Sequence, residues 1–453
     1  MRRPLLMAAI GWTVIFLTFV GYLDFEPGMQ KLIQISDYLM TFHVGGYVIA
    51  HGLLSVLYPP ADSTAFAKMA FDNLAHQVLP EMPASSVAEF MYMPLAAAVF
   101  APLSYLPLNI SLFVWQLLSI ISLFLGMHLT WLSAANSGGT YGADVAPNVV
   151  PDVVAGASAE PPGFVTTITR LLGSFGLLPV CLTIWIGQVG LVFGLLPLAC
   201  GYYLLCNRRP FLAGLVWALA IFKPQFLVPA FVVLSVLLLR KQFRCIAGVA
   251  SGLLMIMVIN LLVFGPELTA GWLGCLKVSD VVYSNPHSGV ATHIATSLPR
   301  TLLLMAATKN IAVKPVVYGL AGVLLLSALV VIWKSHKARV FREELSLHFA
   351  FLIGIFVTPL VMPHFFFYDY CLFALSAPLA FAPSWPASIC RVIRAVVVST
   401  WLLVDVYAVV VLVAHQFAIP LVFMLGMLVM YLALAGAEVR LNKIPQGSSV
   451  TRE

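Results

Sequence analysis

Four charged side chains stand in stretches of this chain that a lipid bilayer would reject: Asp37, Lys223, Asp369 and Asp405. A charge at mid-membrane costs about 2.5–3.5 kcal/mol on insertion scales, so each needs a partner, a wet cavity or a task. Asp37 lies in Ile35-Ser36-Asp37-Tyr38-Leu39-Met40, at the start of an apolar stretch. A carboxylate held there beside an amphipathic wall can act as a general base. Capping a helix or lying solvated in a loop are the plainer readings. Lys223 occupies a polar break, Phe222-Lys223-Pro224-Gln225, between two short apolar stretches. An ammonium at such a break suits a phosphate or carboxylate ligand, because unwound backbone lines a cavity there. Snorkelling to the interface is its plainer reading. Gly187-Gln188 offers a neutral donor and acceptor at a turn, or is a turn and nothing more.

A second constellation comes late, in Pro363-His364-Phe365-Phe366-Phe367-Tyr368-Asp369. His364 and Asp369, five apart among prolines and aromatics at the outer end of a span, can bind a polar ligand between aromatic walls. A metal pair is the sharper reading, but no third ligand stands at helical spacing. An interfacial aromatic belt with a capping Asp is the bland one. Asp405, in mid-span, relays protons or pairs with a basic partner, and structural pairing is favoured. His348 and His128 read as satisfied buried histidines. No GxGxxG, P-loop, HExxH or GxSxG motif is present, which removes support for nucleotide-driven pumping and soluble-type hydrolysis.

Apolar elements have to position these groups. The chain has 453 residues, 61% hydrophobic and only 9% charged, with mean hydropathy +0.99. Soluble domains carry about 25% charged residues, so soluble and disordered classes are excluded in favour of an all-α polytopic membrane protein. Its seven cysteines show no CxxC spacing and read as buried thiols. The first apolar run, 5–23, is expected as a retained helix with its N-terminus inside. Further spans are expected at 109–133, 164–186, 188–206, 245–264, 315–333, 345–361, 366–382, 394–415 and 417–437. Residues 210–239 read as a pair of short or broken helices, and the whole as about 10–12 transmembrane helices. Basic clusters, among them Arg208-Arg209, Arg240-Lys241 and Lys334 to Arg342, mark the cytoplasmic side and set both termini there. Parity then requires one segment not to cross. The proline-bearing run 91–107 is the shortest and is expected to be partial or re-entrant.

The chain reads as one integral-membrane domain. Residues 24–90 form a first outer loop with amphipathic stretches around 40–57 and 64–79. Residues 134–163 form a flexible loop, 266–297 a second outer segment and 438–453 a cytoplasmic tail. No internal repeat is visible, so an inverted-repeat transporter gains no help.

Taken in order, these segments resemble glycosyltransferase family 87, polytopic enzymes of the GT-C superfamily. The matching pieces are Asp37-Tyr38 with Phe42 and Gly45, then Tyr92-Met93-Pro94 with Pro102-Leu103, Leu106-Pro107 and Trp115. They continue with Gly187-Gln188, Ala213-Gly214, Phe222-Lys223-Pro224, Pro363-His364 and Tyr368-Asp369. Two departures stand out: Val189-Gly190 follows the Gly-Gln turn where an Asn is common, and Asn285 lies in a loose version of the family's Asn-Gln-Ser.

The resemblance implies inverting transfer of a sugar, a hexose such as mannose or arabinofuranose, from a polyprenyl-phosphate donor to a lipid or glycan acceptor. It implies Asp37 as catalytic base and Lys223 as the cation on the donor phosphate, with His364 or His293 as rivals. Tyr92, Gln188, Gln225, Tyr368 and Asp369 would contact sugar or acceptor. The partners implied are that donor and acceptor and the membrane lipids, with no nucleic acid. No cofactor is called for, a divalent metal being left open. The reaction would face the periplasm or exterior of an inner or plasma membrane. Other readings are a transporter or lipid flippase, motivated by Lys223, Asp369 and Asp405, and a scaffold subunit with a dead site.

Overall fold

Within hydrocarbon every backbone donor and acceptor needs an internal partner, so long apolar runs fold as helices. The computed structural model bears this out over residues 2–136, 173–284, 296–307, 313–337, 343–381, 385, 387–413 and 418–441, the residues it describes. Among them there is helix and no strand. The elements that carry the site are α1 (Arg2–Phe25), α2 (Gln30–Gln34), α3 (Tyr38–Ala50), α4 (Ala70–Val78), α5 (Pro94–Phe100) and α6 (Leu108–Asn136). They continue with α7 (Leu178–Trp185), α8 (Gly190–Cys206), α9 (Pro210–Phe222), α10 (Pro224–Leu239), α11 (Phe243–Ser284) and α12 (Leu298–Ala307). After α13 (Lys314–Lys337) and α14 (Glu343–Val361) come 3-10 turns at Phe367–Leu375, then α15 (Ser376–Ala380), α16 (Ala387–Val413) and α17 (Ala418–Leu441).

Five of these helices, α6, α11, α13, α16 and α17, contain stretches long and apolar enough to cross a membrane, and the bent pair α7 and α8 makes a sixth if it is one span. The protein is therefore an all-α integral membrane protein. Several expected spans take other forms. The described part of 164–186 and the run 188–206 fold as two helices meeting at 114°, because Gly187 turns the chain with φ +68°. The run 366–382 is not a lipid-facing span. Every residue from Phe367 to Leu375 is buried, and the run lies inside the bundle as 3-10 turns. Helix α14 is apolar all round and buried from Leu345 to Leu360, with α10, α13 and α17 packed on it. A helix without a polar face belongs in a core.

The run 91–107 yields only the seven-residue α5 and a single 3-10 turn, neither long enough to cross a membrane. The 266–297 segment is helical as far as Ser284, continuing α11 past a break at Gly265, φ 77°, and Pro266. The side chain of Asn260 bridges that break to Thr269 Oγ1 at 2.9 Å, and its Oδ1 accepts from Leu95 N at 3.1 Å, tying α11 to α5. The amphipathic stretch around 64–79 forms α4, with Phe71, Asp72 and Ala75 buried. The stretch around 40–57 forms α3, whose residues Leu39, Phe42, Val44 and Val48 are wholly enclosed. All seven cysteines are free thiols. Most of the 134–163 loop, together with Asn285 and His293, falls outside the described residues.

Candidate active site

The site begins where α3 begins. Tyr38 is fixed on three sides: its N–H donates to Ile186 O at 3.0 Å, its hydroxyl meets Ser111 Oγ at 2.8 Å, and its ring stacks on Trp115 with centroids 5.8 Å apart. The neighbouring Asp37 is thereby held half-buried. Gly187 is the matching part of the opposite wall. A Cβ there would stand 2.4 Å from Tyr38 Cβ, so only glycine allows the α7–α8 turn to close on α3. That approach brings Gln188 to Asp37, and Gln188 Nε2 donates to Asp37 Oδ2 at 2.5 Å.

Lys223 arrives from a third element. The residue before a proline disfavours α geometry, and Lys223 adopts φ −141°, ψ 71°, which ends α9 and points its side chain inward. Its ammonium donates to Gln188 Oε1 at 3.1 Å and lies 3.1 Å from Asp369 Oδ1. Only 2% of its side chain is exposed, and none of that of Asp369. Asp369 Oδ2 also accepts from the N–H of Phe366 at 2.9 Å and from Gln225 Nε2 at 3.2 Å. This acid thus caps the 3-10 turns and pairs with the buried ammonium through one carboxylate.

The result is a continuous relay Asp37–Gln188–Lys223–Asp369–Gln225, built from four separate elements. The ammonium accepts nothing, so it binds the carbonyl end of Gln188 and turns the amide NH2 toward Asp37. Tyr368 caps the relay with its ring 5.0 Å from Lys223 Nζ, and the phenol of Tyr92 lies beside the same ammonium. Burial pushes the Asp37 carboxyl above its ordinary value of 3.8; the Gln188 bond and Lys223 pull the other way, and Asp369 raises it further. Burial likewise raises the Tyr92 phenol.

His364 sits one layer away, its ring 5.6 Å from that of Tyr283. Burial, reinforced by Arg300, lowers it to about 4, so it is a neutral imidazole at pH 7. The structure therefore joins Asp37, Gln188, Lys223, Gln225, Tyr368, Tyr92 and Asp369 directly, with His364 at the edge. Asp405 does not join them and pairs with no basic group among the described residues. It accepts the N–H of Leu178 at 2.9 Å and so holds the start of α7. His348 meets the Tyr202 hydroxyl inside the core, as expected of a satisfied histidine.

Three residues that the sequence did not bring forward complete the surroundings. The Tyr283 hydroxyl donates to Glu89, and Tyr283 lies within electrostatic reach of Asp37 and Tyr92. Glu89 is raised to about 7, by burial first, with Asp37 and Asp72 adding to it against the Tyr283 bond. Arg300, at the start of α12, places its guanidinium 5.4 Å from the Tyr283 ring. The rule that singled out Lys223, a charge within an apolar helical run, applies equally to Arg300 in Leu298–Ala307. A cavity of about 110 Å³ is lined by Asp24, Ser36, Leu112, Trp185 and Ile186 among others. Among the described residues no group of three His, Cys, Asp or Glu could hold a metal ion.

Fold and site together define a membrane-embedded protein with a carboxylate, amide and ammonium relay at the meeting of four elements, two of them helix breaks. The profile of glycosyltransferase family 87 matches residues 90–363, more than half of the chain, and the chain belongs to that family. It is a glycosyltransferase, acting on a donor and an acceptor. The matched stretch contains Tyr92, Gln188, Lys223, Gln225 and Arg300, while Asp37, His364 and Asp369 lie outside it. No curated protein and no solved structure matches the chain.

Proposed function

We propose that this glycosyltransferase moves a sugar, a hexose such as mannose or arabinofuranose, from a polyprenyl-phosphate donor to a hydroxyl of a lipid or glycan acceptor. The reaction inverts the anomeric configuration and takes place at the outer membrane face. The observation that carries the reading is the geometry of Asp37. One of its oxygens is engaged by Gln188, which leaves Oδ1 for an acceptor hydroxyl, and burial makes the carboxylate more basic than an exposed one. The acceptor oxygen attacks the anomeric carbon as its proton passes to Asp37. The bond from that carbon to the phosphate oxygen breaks, and polyprenyl phosphate leaves with the electron pair. A single displacement of this kind inverts the centre.

Lys223 orients rather than neutralises in this mechanism. Its charge is matched by Asp369 at 3.1 Å, so it fixes the Gln188 amide and leaves the phosphate to other groups. Gln225 and Tyr368 face the sugar hydroxyls, with Tyr92 beside them, and the enclosed Asp369 positions Gln225 and Lys223 from behind. The lipid tail lies along the apolar surfaces of α3 and α5. A transporter reading drew on Lys223, Asp369 and Asp405. The first two are paired with each other and the third caps a helix, so none stands as a free relay group.

The test is Asp37→Asn in proteoliposomes supplied with polyprenyl-phosphate sugar. The expected result is a loss of about 10²–10⁴-fold in transfer with unfolding temperature retained. Full activity of Asp37→Asn sinks the assignment, and Glu89→Gln distinguishes the second carboxylate, since it is expected to lose far less.

A further inference from the structure

The start of α12 gathers polar groups that the protein itself leaves unsatisfied. Arg300 is 3% exposed, yet its Nε and Nη2 atoms have no hydrogen-bond partner among the described residues. Thr296 Oγ1 and Thr301 Oγ1, in the same segment, are also buried and unpaired. Buried polar groups are nearly always satisfied, so three orphans within six residues require an explanation.

Looseness does not supply one. Thr296 N donates to Phe365 O at 3.0 Å, Tyr370 donates to Thr296 O at 2.8 Å, and Ser297 Oγ donates to Pro363 O at 3.3 Å. Ser297 Oγ in turn accepts the N–H of Arg300 at 3.3 Å. The segment is pinned to the stretch that carries His364. Nor is the guanidinium neutralised. The nearby acids are engaged elsewhere, Asp280 with Lys314 at 2.5 Å and Glu89 with Tyr283. No ion pair to Arg300 exists among the described residues.

A buried cation without a counter-charge is strongly unfavourable in a folded protein, and a bound anion is what relieves it. The arrangement suits one anion in particular. A guanidinium fork matches two phosphate oxygens, and the Thr296 and Thr301 hydroxyls supply further donors. Tyr283 stacks on Arg300, bonds Glu89, packs on His364 and lies within electrostatic reach of Asp37.

We propose that Arg300, with the hydroxyls of Thr296 and Thr301, holds the phosphate of the polyprenyl-phosphate donor. The assignment rests on the donor class proposed above. Arg300 meets the negative charge that the phosphate gains when the anomeric carbon–oxygen bond breaks and the electron pair stays with it. No general acid is then needed at the leaving oxygen. Neutral His364 contributes a hydrogen bond there.

The test measures thermal stabilisation and affinity of the full chain in nanodiscs with polyprenyl phosphate lacking sugar. Parallel arms use polyprenol and inorganic phosphate. The wild-type protein is expected to bind polyprenyl phosphate, with polyprenol and inorganic phosphate giving little shift. Arg300→Gln is expected to weaken it by about 100-fold and Arg300→Lys, which keeps the charge without the fork, by about tenfold. Thr301→Val, nearly isosteric, is expected to weaken it by about fivefold; it decides the matter with Arg300→Lys if Arg300→Gln fails to fold. Wild-type binding unchanged in Arg300→Lys and Thr301→Val overturns the phosphate assignment and leaves the donor class intact. Equal stabilisation by inorganic phosphate overturns it in favour of a free-anion site. Absence of wild-type binding overturns the donor class itself, and this inference with it.

Discussion

Gln188 donates to Asp37 across 2.5 Å from a position 151 residues further along the chain, and its other amide atom is held by Lys223. The amide has one orientation in this setting, because the ammonium can only face its oxygen. Asp37 therefore receives a hydrogen bond whose direction is fixed two residues away, by a lysine that never touches it.

The acid side of the pH profile follows from this arrangement. A base must be ionised to act, and burial raises Asp37 above 3.8, so transfer should fall with acidification at a pH above the ordinary carboxylate range. The Gln188 bond lowers that value. Replacing Gln188 by Leu should move the acid limb to still higher pH and reduce the plateau. The pH dependence of kcat/KM for both proteins measures the shift; identical limbs would separate Gln188 from the base.

Breaking the buried ion pair should be harsher than removing it whole. Lys223→Met leaves Asp369 as an uncompensated buried carboxylate, a loss of about 3–5 kcal/mol. The double variant Lys223→Met with Asp369→Leu should recover much of the unfolding temperature without recovering activity. Thermal unfolding in detergent, paired with transfer assays, tests both halves.

Gly187→Ala combines two penalties. An alanine held at φ +68° costs about 1–2 kcal/mol, and its Cβ would collide with Tyr38 at 2.4 Å. The turn must shift and carry Gln188 away from Asp37. Lower stability together with a raised acid limb is expected; full activity would mean that the α7–α8 turn has slack.

Asp405→Asn should leave transfer near the wild-type rate, because an amide oxygen can still accept from Leu178 N. Asp405→Leu removes the acceptor and should lower stability by about 1 kcal/mol. Loss of activity in Asp405→Asn without loss of stability would restore a chemical role to this residue.

Much of the site was legible because charge is expensive in an apolar chain. Asp37, Lys223 and Asp369 were conspicuous as misplaced charges, and they prove to be in one cluster. Arg300 obeys the same rule but sits in a ten-residue helix away from the ordered motifs, and Glu89 lies in a loop where an acid attracts no notice. Asp405 shows the limit of the rule, since a misplaced charge can serve a backbone amide as well as chemistry.

Sequence alone determined the class: 9% charge and long apolar runs leave helices in a bilayer as the workable solution. It also marked where those helices break, at Gly187, Lys223-Pro224 and Gly265-Pro266, since glycine and proline act locally. Tertiary structure decided which breaks meet. Whether Lys223 faces Gln188 or lipid, and whether 366–382 crosses or is enclosed, depends on contacts between residues tens to hundreds of positions apart. Hydropathy cannot distinguish a helix surrounded by lipid from one surrounded by other helices, because both environments are apolar.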